Sequence, residues 1–76
     1  MAISPDQIKT GRELLGWSHK ALAKRARLTA ETIRSIETGR SRSTDRTLLA
    51  IRKTLEAGGL EITPWSVKLR EKKPTA

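Results

Sequence analysis

Residues suited to starting or stopping a helix divide the first sixty positions into four short pieces, and this punctuation constrains the fold more than any other feature. Ser4 can cap a helix, Pro5 suits its first position, and Gln7 stands three residues after the cap, as a capping box requires. Gly16 provides the stop. Ser18 caps a second helix without the usual glutamate or glutamine three residues on, since Ala21 stands there. Thr29 and Gly39 bracket a third, and Ser43 or Thr44 opens a fourth that Gly58 and Gly59 end. Apolar spacing agrees: Ile8, Leu14 and Leu15; Leu22 and Ala23; Ile33 and Ile36; Leu48, Ile51 and Leu55. Trp17, between two helices, reads as a core plug. Gly11 lies inside the first helix at a cost of about 1 kcal/mol relative to alanine, so it is either needed for close packing or tolerated.

The last third changes period. In LEITPWSVKLREKKPTA, Leu60 and Ile62 alternate with Glu61 and Thr63, then Val67 and Leu69 alternate with Lys68 and Arg70. A period of two predicts short strands joined around residues 64–66, although Thr63-Pro64 could also start a fifth helix with Trp65 and Leu69 four apart. At 76 residues there is room for one small domain. A chain of this size buries only about 60% of the surface its unfolded form exposes, so dimerisation would help it. We therefore expect a domain over residues 1–59 and an arm over 60–76. Leu60, Ile62, Trp65, Val67 and Leu69 would form a homodimer interface, folding back onto the first and fourth helices being the competing fate. Lys72 to Ala76 should be a disordered basic tail.

Charge points to the partner. The net charge of +8 is uneven: residues 1–17 sum to zero, residues 18–46 to +5, and the rest to +3. A basic band across the middle of a small domain is the footprint of a polyanion. There is no cysteine, so disulfides, thiolate metal sites and cysteine nucleophiles are excluded. No apolar run approaches the roughly 18 residues of a membrane span, and the N-terminus lacks the pattern of a signal peptide. We expect a cytoplasmic protein with no membrane association, no cofactor and no small-molecule ligand. Paired carboxylates, a metal cluster or a nucleophile with its base are not apparent, so an enzyme is not expected.

The basic band centres on residues 19–38. In its first half Leu22 and Ala23 face inward beside the outward Lys20, Lys24 and Arg25; in its second, Ile33 and Ile36 define a buried side opposite Ala30, Glu31, Arg34, Ser35 and Thr38. The stretch LGWSHKALAKRARLTAETIRSIETGR resembles the helix-turn-helix of the lambda repressor and Cro family, also called the XRE family. Ala23, Leu28, Ile33, Ile36, Glu37 and Gly39 stand where that family has alanine, three aliphatic residues, glutamate and glycine, and the likeness covers roughly residues 4 to 57.

The resemblance implies a mainly α, compact four-helix domain; many relatives add a fifth helix, where the period of two here predicts instead a short C-terminal β-hairpin or extended arm. It implies a structural ion pair between Arg12 and Glu37. It also implies that the third helix enters the major groove while the second crosses the backbone. Base edges would then meet Thr29, Ala30, Glu31, Arg34, Ser35 and, at the margin, Thr38. Arginine suits guanine, glutamate suits cytosine, and alanine offers a surface to the thymine methyl. Arg34 and Glu31 lie three apart and could instead neutralise one another. Phosphates would meet His19, Lys20, Lys24, Arg27, Arg40, Arg42 and Arg46, contacts that set register and affinity without reading sequence.

Two positions depart from the family pattern. Arg27 replaces the turn glycine, a substitution costing roughly 1 to 2 kcal/mol if the backbone is left-handed there. His19 replaces the glutamine that opens the second helix. With Lys20 it puts cations at a helix start, which costs about 0.3 to 1 kcal/mol unless an anion such as phosphate binds there.

The expected function is that of a sequence-specific double-stranded DNA-binding regulator of transcription, a homodimer repressing from a palindromic operator. The alternative is a protein-interaction module, such as an antitoxin, that retains the fold. General nucleic-acid coating is disfavoured, because two tryptophans are the only aromatic stacking residues.

Overall fold

A computed structural model describes residues 3–40 and 43–70. Four helices, α1 Pro5–Leu14, α2 His19–Ala26, α3 Ala30–Glu37 and α4 Asp45–Ala57, precede two strands, β1 Leu60–Ile62 and β2 Val67–Leu69. The expected Arg42 contact and the Lys72–Ala76 tail fall outside the described residues.

Each helix begins where a side chain satisfies backbone donors that the first turn leaves open. The Gln7 N–H donates to Ser4 Oγ at 3.2 Å while the Ser4 N–H donates to Gln7 Oε1 at 3.0 Å, completing the capping box. Ser18, Thr29 and Thr44 accept from the N–H three residues on. Gly16 ends α1 at φ +70°, its N–H donating to the Glu13 carbonyl and the Trp17 N–H to that of Arg12, a Schellman closure. Gly39 closes α3 in the same way.

One core joins helices and hairpin. Ile8, Leu22, Ile33, Ile51, Leu55 and Leu60 are fully buried, with Ile3, Ala23, Ile36 and Ile62 nearly so. Ile8, Gly11 and Arg12 form the inward stripe of α1, continued by Leu15 just past its end, which leaves Leu14, expected on the apolar side, 42% exposed while Leu15 packs on the core. Gly11 is present for space: a Cβ there would lie 2.7 Å from Leu60 Cδ1 and 3.4 Å from Val67 Cγ1.

Within residues 60–69 the chain forms two strands, and among the described residues the fifth-helix alternative is not realised. β1 and β2 pair antiparallel with Leu60 opposite Leu69, Glu61 opposite Lys68 and Ile62 opposite Val67. Thr63 and Ser66 close the turn through backbone bonds in both directions, with Pro64 and Trp65 between them. Gln7 Nε2 donates to the Thr63 carbonyl at 2.6 Å, tying the start of α1 to the turn.

This packing corrects the expected interface. Leu60 and Ile62 are 0% and 8% exposed within the monomer, so they cannot meet a second copy without unfolding the hairpin. The physical reason is area: burying a leucine or isoleucine is worth about 1.5 to 3 kcal/mol, and the core beneath α1 and α4 is incomplete without them. Val67 is half-buried against the same core, while Trp65 at 89% and Leu69 at 51% face outward.

Candidate nucleic-acid interface

The turn between α2 and α3 fixes the site. Arg27 adopts φ 60°, ψ 41°, the left-handed conformation that a glycine would take without strain. The Leu28 N–H donates to the Ala23 carbonyl at 2.7 Å and the Arg27 N–H to that of Lys24 at 3.4 Å, so α2 closes like α1 and α3 despite its side chain. Leu28 then packs on the core, and Thr29 caps α3.

An ionic clasp holds α3 against α1. Arg12 Nε donates to Glu37 Oε2 at 2.8 Å, Nη2 to Oε1 at 3.1 Å, and Nη1 to the Trp17 carbonyl at 2.9 Å. The two side chains are only 10% and 4% exposed. The hydrogen bonds that Arg12 donates to Glu37 raise its pKa above the ordinary value, outweighing the opposing effect of burial. His19 joins the clasp: its Nε2 lies 3.3 Å from Glu37 Oε1, with 31% of its side chain exposed. The expected phosphate ligand at the start of α2 thus already faces a carboxylate.

With its apolar side buried through Ile33 and Ile36, α3 turns the opposite side outward. Glu31, Arg34, Ser35 and Thr38, together with Arg40 just beyond the helix, line one concavity of about 460 Å³. Among the described residues no bond joins Glu31 to Arg34, and neither they nor Ser35 spend a side-chain group on the protein. Thr29 and Thr38 differ. The Thr29 hydroxyl accepts the Thr32 N–H at 3.2 Å, and the Thr38 hydroxyl donates to the Arg34 carbonyl at 2.9 Å. Ala30 is half-buried at the first position of the helix.

Lys20 and Lys24 stand one turn apart on the exposed side of α2; Arg27, Arg40 and Arg46 are also exposed. Two cations outside the expected set draw attention. Lys9 of α1 lines a cleft with Arg12, His19, Arg34, Glu37 and Thr38. The sequence hid it because charges summed along residues 1–17 cancel, whereas in space Lys9 joins the basic side. Arg25 lies over the Trp17 ring, 4.5 Å from its centroid, so this outward cation also stabilises the α1–α2 corner.

Among the described residues no grouping of His, Asp or Glu could hold a metal ion, and no helix is long and apolar enough to cross a membrane. A helix-turn-helix family model matches residues 8–61. The chain therefore belongs to the lambda repressor-like, or XRE, helix-turn-helix family, whose domains bind DNA and regulate transcription and are not typically enzymes. No curated protein matches the chain.

Proposed function

We propose that the protein is a sequence-specific repressor that binds double-stranded DNA as a cytoplasmic homodimer, with α3 in the major groove. The observation that carries this reading is the unspent polar set Glu31, Arg34 and Ser35 on the outer side of a helix that a buried ion pair holds in place. Arg34 donates to guanine and Glu31 accepts from cytosine. Lys20, Lys24, Arg27, Arg40 and Arg46 grip phosphates and set the register, with Arg42 beside them in sequence. Two copies on a twofold-symmetric operator place their third helices about 34 Å apart, one DNA turn. Occupancy of an operator overlapping a promoter excludes polymerase. The dimer surface in this reading is reduced to Trp65, Leu69 and the margin of Val67.

Selection of duplexes from a random library tests it, with recovery of an inverted repeat as the expected result. Arg34→Ala should relax recognition at one base pair, whereas Lys24→Ala should weaken all sequences alike and reduce the salt slope by about 1. Sedimentation of the wild type and Trp65→Ala tests the dimer; a wild type that stays monomeric at micromolar concentration defeats that part. A second reading, a partner-binding module such as an antitoxin, draws support from Trp65, which is 89% exposed at the hairpin turn. Failure to bind any duplex at low salt would favour it.

A further inference from the structure

We propose that the cleft between the α1–α2 corner and the end of α4 receives an acidic segment of a partner protein, which places a carboxylate between Arg25 and Lys53 and an apolar side chain against Trp17. This goes beyond the DNA-binding reading and does not depend on it. The cleft, about 380 Å³ in volume, is lined by Trp17, by Arg25 of α2, and by Lys53, Thr54, Ala57 and Gly58 at the end of α4. None of the six lines the outer concavity of α3 or the cleft beside Lys9, so the surface is separate from the one assigned to base reading. Arg25 follows Lys24 on α2 and so stands about 100° around the helix from it. A partner and a duplex can therefore be held at the same time.

The lining selects the occupant. Arg25 Nη1 donates to the Ala21 carbonyl at 3.2 Å, and the guanidinium carbon lies 4.5 Å from the Trp17 ring centroid. Two contacts thus hold an exposed arginine in place, so it loses less freedom when its remaining N–H groups meet a carboxylate. Lys53 makes no hydrogen bond or ion pair among the described residues, and the indole N–H of Trp17 is open to solvent with no acceptor on the protein. Among the described residues no carboxylate lines the cleft, so these donors await an acceptor from elsewhere. The floor is apolar: Trp17 is half-buried, and Gly58 leaves bare backbone beside it, where a Cβ would lie 2.7 Å from Trp17 Cη2. A sugar-phosphate strand would use the cations and leave this floor unmatched; a carboxylate next to an aromatic or aliphatic side chain uses both. Small-molecule sites bury about 70 to 90% of their ligand, whereas Arg25, Lys53, Ala57 and Gly58 are all exposed, a shallow wall that suits a peptide resting across it.

The test is selection from a random peptide library on the full chain, with excess mixed-sequence duplex present to occupy the α3 surface. Enriched peptides should carry Asp or Glu beside Phe, Tyr, Trp or Leu. In a Trp65→Phe background Trp17 is the one remaining indole, and its emission should shift when an enriched peptide without tryptophan is added. Lys53→Gln and Arg25→Gln should each weaken that peptide by about tenfold or more, while Arg34→Ala leaves its affinity unchanged. Lys53→Gln removes no bond within the protein, so it decides the matter even where Arg25→Gln does not fold. No enrichment, enriched peptides that lack acidic residues, or an affinity that Lys53→Gln leaves intact overturns the proposal. A loss of duplex affinity in Lys53→Gln equal to that in Lys24→Ala assigns the cleft to nucleic acid and also overturns it. Failure of the wild type to bind any duplex defeats the DNA reading and leaves this proposal standing.

Discussion

Removing Glu37 probes the contact on which the interface depends. In Glu37→Ala, Arg12 keeps its bond to the Trp17 carbonyl but loses two charge-assisted bonds, while its guanidinium stays 10% exposed between α1 and α3. Stripping one partner from a buried pair costs about 3 to 5 kcal/mol, because the surviving charge is stranded. A 76-residue domain at about 0.05 to 0.15 kcal/mol per residue has only about 4 to 11 kcal/mol in total. With a urea slope near 1 kcal/mol/M, the midpoint should fall by about 3 M or more. Helical circular dichroism across a urea titration reads this directly. Arg12→Met combined with Glu37→Leu should recover all but about 1 kcal/mol, roughly the worth of the lost Arg12 bond to the Trp17 carbonyl. A loss below about 1 kcal/mol in Glu37→Ala would place the pair among ordinary surface salt bridges and refute the reasoning. The pH sign is also determined. Because the folded Arg12 pKa is raised, its contribution is complete below the ordinary arginine range and is lost only above it. Mild alkali should therefore leave this term untouched.

Other perturbations read separate parts of the structure. Gly58→Ala puts a Cβ 2.7 Å from Trp17 Cη2 and 2.8 Å from Leu15 Cδ1, at a φ of −77° that alanine tolerates. The cost is therefore steric, about 1 to 3 kcal/mol, with an altered Trp17 emission in a Trp65→Phe background. Arg27→Gly relieves the left-handed strain at φ 60° and should raise stability by about 1 kcal/mol by thermal melting, while weakening DNA binding if the arginine meets phosphate. Lys68→Ala removes an ion pair to Glu61 at 3.6 Å whose two side chains are more than half exposed, and the melting temperature should barely move.

Much of the fold was legible because local chemistry carries it. Ser4, Ser18, Thr29 and Thr44 cap, and Gly16 and Gly39 stop, through bonds within a few residues of chain. Period two around Leu60 and Val67 announced strands for the same reason. Arg27 was harder: only the family pattern suggested a left-handed residue there, and the φ of 60° agrees.

What the sequence by itself determined was the order and ends of the helices, the basic middle of the chain and the partner class these imply, since each follows from neighbours along the chain; between a hairpin and a fifth helix after residue 60 it only leaned toward strands. Tertiary structure alone decided which apolar residues were left over. Leu60 and Ile62 went into the core while Leu14, Trp65 and Leu69 stayed outside, because burial depends on which stripe of α1 meets the hairpin. It also turned His19 toward Glu37 and brought Lys9 to the same cleft as Arg34, residues far apart in sequence that meet only in space.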